Sequence, residues 1–165
     1  MNSLLVILFV IIDTRFVDYT FVKNWAEAVI EKVASPQSWL FDLADCIDLN
    51  KMQDMLRSKI YDEGVFFDDH YQRLCLGFLF LRYENDGISY LDLEGEVVGV
   101  IDACNGIGGV DVEYIQKHFA SKKNVSDPNT IFGRLMKSCA EEARLGIAYI
   151  SSEKMLINEC RLISN

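Results

Sequence analysis

Residues 74–81 read LCLGFLFL, eight positions with no charge and no strongly hydrogen-bonding side chain. Asp68, Asp69, His70, Gln72 and Arg73 precede the run, and Arg82, Glu84, Asn85 and Asp86 follow it. A membrane-spanning helix needs roughly 20 apolar residues, so this run is too short to cross a bilayer. A segment that is apolar all round must be covered all round. It therefore predicts a helix over about 67–83, buried along its length, with other elements packed around it.

The rest of the chain is read as that covering. A length of 165 residues suits one domain, residues 1–165, with a sizeable single core. Half the residues are hydrophobic and only two are proline, which fits a folded chain with few long loops. Residues 4–12 (LLVILFVII) have no basic residue before them and no small-x-small site after them. They are expected to form a buried strand or helix and not a cleaved signal. Helical spacing of Phe21, Val22, Trp25, Ala26, Val29, Ile30 and Val33 predicts a helix over 19–34. Ser35 and Pro36 are a cap and first-position pair for the next helix, whose stripe is Trp39, Leu40, Leu43, Ala44 and Ile47. Asp48 caps another, with Met52, Met55, Leu56 and Ile60 inward and Asp62-Glu63-Gly64 as its end.

Residues 88–104 fit two patterns, a helix and a hairpin. The helix is preferred because everything upstream is helical and strands need partners, although Gly95 and Gly99 weaken it. Asp111 caps a short helix to Ala120, and a last helix starts near Pro128-Asn129 or Thr130, with Gly146 as its C-terminal cap. The expected class is mainly α, a helical bundle around a central buried helix. A small β element at 90–101 or 147–150 is the alternative for those segments.

Five cysteines at 46, 75, 104, 139 and 160 include no Cys-x-x-Cys. Neither a disulfide framework nor a structural zinc site is expected, and a reducing cytoplasm fits this usage. Phe66–His70 (FFDDH) places two carboxylates beside an imidazole. Adjacent aspartates diverge on a helix, and no second ligand motif accompanies them. Capping of the helix start is the expected role, and no metal is expected.

Residues 102–109 (DACNGIGG) resemble the first motif of S-adenosylmethionine-dependent methyltransferases, and GIGG looks most like the cytosine DNA methyltransferase version. That resemblance implies a strand ending at Asp102 and a cofactor lined by Asp102, Gly106 and Gly108. Cys104 stands where these enzymes place the first glycine. Only 56 residues follow Gly109, whereas each further strand–helix unit takes roughly 30. A small cofactor-binding enzyme is thus the second reading, and the leading one has no cofactor and no catalytic set.

The leading reading comes from charge. The net charge is −9, and all of it lies in residues 1–100, which carry 17 acidic and 8 basic residues. Such a surface repels nucleic acid and anionic lipid and attracts basic partners. Asp42, Asp45, Asp62, Glu63, Asp68 and Asp69 fall on predicted solvent faces or helix ends, with Tyr71 among the interleaved aromatics. They are the expected partner-binding set. The pattern Trp25…Pro36…Trp39-Leu40…Leu43-Ala44, followed by the helix through 74–83, is similar to small acidic all-helical immunity proteins that bacteria make against their own toxins. The resemblance implies a cytoplasmic, non-enzymatic protein that binds a basic toxin domain or nuclease and occludes it. It carries over no individual residue.

Overall fold

A computed structural model describes residues 4–64 and 69–152. Among them are eight helices and no strand: α1 (Leu4–Asp13), α2 (Tyr19–Lys32), α3 (Ser38–Ala44), α4 (Leu49–Asp62), α5 (Asp69–Glu84), α6 (Tyr90–Ala103), α7 (Val112–Ala120) and α8 (Ile131–Ile150). The protein is all-α. The β alternatives at 90–101 and 147–150 are not realised, since both segments are helical. The chain divides into two units, Met1–Phe66 with Leu145–Asn165, and Phe67–Arg144.

In the first unit, every residue of α1 from Leu4 to Ile12 is buried. The helix stops where Arg15 takes a left-handed backbone (φ 52°) and the Phe16 N–H returns to the Ile11 carbonyl at 3.0 Å. It packs on α4, which buries Met52, Leu56 and Ile60. The Arg57 guanidinium lies 5.4 Å from the centre of the Phe9 ring. Asp18 caps α2 and Asp48 caps α4, each accepting backbone N–H bonds. The boundary before α3 differs from the sequence expectation. Gln37, not Ser35, is the N-cap, because the Leu40 N–H closes the first turn on the Gln37 carbonyl at 3.1 Å. Gly146 is not a helix end either. It lies inside α8, where a Cβ would meet the Ile7 side chain at 3.5 Å.

In the second unit, α5 contains the 74–81 run, and all eight of its residues are buried. At Gly77 an added Cβ would lie 2.2 Å from the Cys139 carbonyl oxygen and 2.9 Å from the Ala143 Cβ, so α5 and α8 cross backbone to backbone. Around that crossing the Arg73 side chain binds Glu142 and donates to Ser138 Oγ at 2.8 Å. Arg144 pairs with Glu84 at 2.9 Å. Ser89 and Asp92 form a reciprocal capping box that starts α6, which settles residues 90–103 as helix despite two glycines. Cys75 and Cys139 are buried and form no disulfide among the described residues, and burial pushes the Cys139 thiol up to about 12 despite the nearby Arg73. Both act as small core residues.

Candidate partner-binding groove

α3 is two turns long, and Ser38, Trp39, Asp42 and Leu43 share one side of it by their one-turn spacing. On α4 the same spacing aligns Met55, Leu56, Ser58, Lys59 and Asp62. These two stripes line one open groove of about 360 Å³ within the first unit. Leu43 and Leu56 are buried beneath it, Met55 is half-buried, and Asp42 and Asp62 are exposed.

Trp39 is held in place from two directions. Its Nε1–H donates to Gln37 Oε1 at 2.6 Å, and its ring stacks on Trp25 with centroids 6.5 Å apart and planes 28° from parallel. Trp25 is itself anchored by an Nε1–H bond to the Ile150 carbonyl at 3.0 Å. The groove therefore has a pre-positioned aromatic wall. Its one lining cation, Lys59, pairs with Glu63 Oε1 at 3.3 Å. Neither Asp42 nor Asp62 has an ion-pair partner among the described residues, so the groove keeps two uncompensated carboxylates.

The expected partner-binding set is thus divided. Asp42 and Asp62 come together at the groove. Asp45 and Glu63 are exposed caps at the C-terminal ends of α3 and α4 and do not line it. Asp69 is exposed at the start of α5 and Tyr71 is half-buried in that helix, both in the second unit. Asp68 lies outside the described residues, as do Phe66 and Phe67 of the FFDDH stretch. The sequence places Asp42 on a solvent face and Met55 on the inward stripe of its helix. It does not mark Trp39, Ser58 and Lys59 as groove residues, because only the pairing of α3 with α4 puts them opposite one another.

The glycine-rich stretch has a different architecture from the cofactor loop it resembles. A helix, α6, precedes it, so the strand expected to end at Asp102 is absent. Asp102 is exposed in the last turn of α6, and its carbonyl accepts the Asn105 N–H at 3.1 Å. The Gly106 N–H bonds the Ile101 carbonyl at 3.0 Å, and Ile107 and Val110 exchange N–H bonds at 2.9 Å. The Gly106 and Ile107 backbone donors are thus spent on the turn itself. Gly106 (φ 98°), Gly108 (φ 58°) and Gly109 (φ 78°) supply the left-handed positions it needs, and Asp111 then caps α7. The stretch is a tight helix–turn–helix connection.

No group of three or more His, Cys, Asp or Glu side chains among the described residues could hold a metal ion. No helix among them is long and apolar enough to cross a membrane. Compared with protein-family models, curated proteins and solved structures, the chain matches none.

Proposed function

We propose that the protein is a non-enzymatic binding module, an immunity-type inhibitor that occludes a basic partner such as a toxin domain or nuclease. The observation that carries this reading is the α3–α4 groove, where Asp42 and Asp62 stand exposed, with no ion-pair partner among the described residues, beside an anchored Trp39. The net charge of −9, concentrated in the first hundred residues, supports it. Complementary charge speeds encounter and excludes wrong partners, while fixed aromatic side chains supply the contact that holds the complex. Inhibition of this kind needs a shaped, charged surface and no reacting group.

Coexpression with the product of the neighbouring gene tests the reading. The wild-type chain is expected to restore growth of cells producing that neighbour. A variant carrying Asp42→Asn, Asp45→Asn, Asp62→Asn and Glu63→Gln is expected to protect much less. A harmless neighbour, a toxicity the chain does not relieve, or full protection by the variant would overturn the proposal.

A further inference from the structure

We propose that the α3–α4 groove receives an arginine side chain of the basic partner; this rests on the binding-module reading above. The groove, not the charge alone, makes the argument. Asp45 and Glu63 are exposed carboxylate residues like Asp42 and Asp62, yet they sit outside it. Within it, Leu43, Leu56 and Met55 form an apolar floor, Trp39 a fixed aromatic wall, and the two aspartates a negative rim.

That combination matches one kind of occupant. A hydrated metal ion gains nothing from the leucine, methionine and tryptophan surfaces, and the rim lacks the three ligands a metal site needs. A lysine brings a strongly hydrated point charge, which two carboxylates alone would satisfy equally well on an open surface. An arginine uses every part of the groove. Its methylene stem covers the apolar floor, its planar guanidinium offers forked donors to carboxylates, and its weak hydration and flat face suit an aromatic wall. Lys59 is not a competing occupant, because its ammonium group is paired with Glu63.

Capped tri-arginine and tri-lysine peptides, titrated into the full chain and followed by tryptophan fluorescence and calorimetry, test this. Tri-arginine is expected to perturb the Trp39 emission saturably and to bind about fivefold tighter than tri-lysine at equal ionic strength. The double variant Asp42→Asn/Asp62→Asn is expected to lose most of that affinity. The double variant Glu31→Gln/Asp45→Asn removes two exposed charges outside the groove, leaves the Lys59–Glu63 pair intact, and is expected to retain that affinity. All four positions are exposed, so folding is not the variable. Equal affinity for the two peptides, equal loss in the two variants, or no saturable binding would each overturn the groove proposal. None of those results bears on growth protection by the wild-type chain, so the failure of this inference and that of the inhibitor reading are separable.

Discussion

His118 lies in α7 with its ring edge-on to Phe132 at 4.8 Å and to Phe119 at 6.0 Å. The residue is buried, and its Nε2 has no hydrogen-bond partner among the described residues. Burial, reinforced by the charge of Lys123, holds its pKa below the usual 6.5, against weaker opposing effects of the Asn124 backbone and Asp127. The folded chain thus keeps His118 neutral where the unfolded chain protonates it. As pH falls below about 6.5 the unfolded state binds more protons, and stability is lost; above it, this residue contributes no pH dependence. Melting temperatures measured from about pH 5 to about 8 are therefore expected to fall on the acid side. The slope should be shallower in His118→Leu, and an unchanged slope would show that His118 is not the responsive group.

At the scale of an element, two kinds of glycine make opposite predictions. Gly77 is in α5 because a side chain there would overlap the Cys139 carbonyl at 2.2 Å, and backbone cannot move aside as a flexible side chain can. Gly77→Ala is expected to destabilise by about 2 kcal/mol or more, as overpacked core sites do. Gly95 and Gly99 are in α6 with nothing within 4 Å of an added Cβ. Gly95→Ala and Gly99→Ala are each expected to stabilise by about 0.5–1 kcal/mol through helix propensity alone. Urea denaturation of the three variants checks both signs. The same comparison explains why the helix over 90–103 was ambiguous in sequence. Its glycines argue against a helix locally, and the capping box of Ser89 and Asp92 offsets them.

For the whole molecule the relevant quantity is the net charge of −9. Association with a basic partner should be fast at low salt and should slow as salt screens it, since the Debye length is only about 8 Å at physiological ionic strength. Neutralising Asp42, Asp45, Asp62 and Glu63 together is expected to cut the association rate about tenfold and to flatten its salt dependence, with less effect on dissociation. Stopped-flow mixing with the purified partner at several salt concentrations measures both. A rate and a salt slope equal to those of the wild type would refute steering by these residues.

Local chemistry determined much of this protein from sequence alone. The 74–81 run is a buried helix because eight consecutive apolar residues leave no face that water can satisfy. Asp48 and Asp111 start helices because a short acceptor beside free N–H groups works regardless of what lies far away. Distant packing decided the rest. Gly146 reads as a helix end until Ile7, far off in sequence, is found against it inside α8. Asp102–Gly109 resembles a cofactor loop, and only the fold shows that a helix precedes it and that the Gly106 and Ile107 N–H groups close the turn. The acidic residues were legible as a set, but not their sorting. Asp42 and Asp62 share a groove with Trp39 only because α3 and α4 lie side by side, and one-dimensional spacing does not encode which faces of two helices meet.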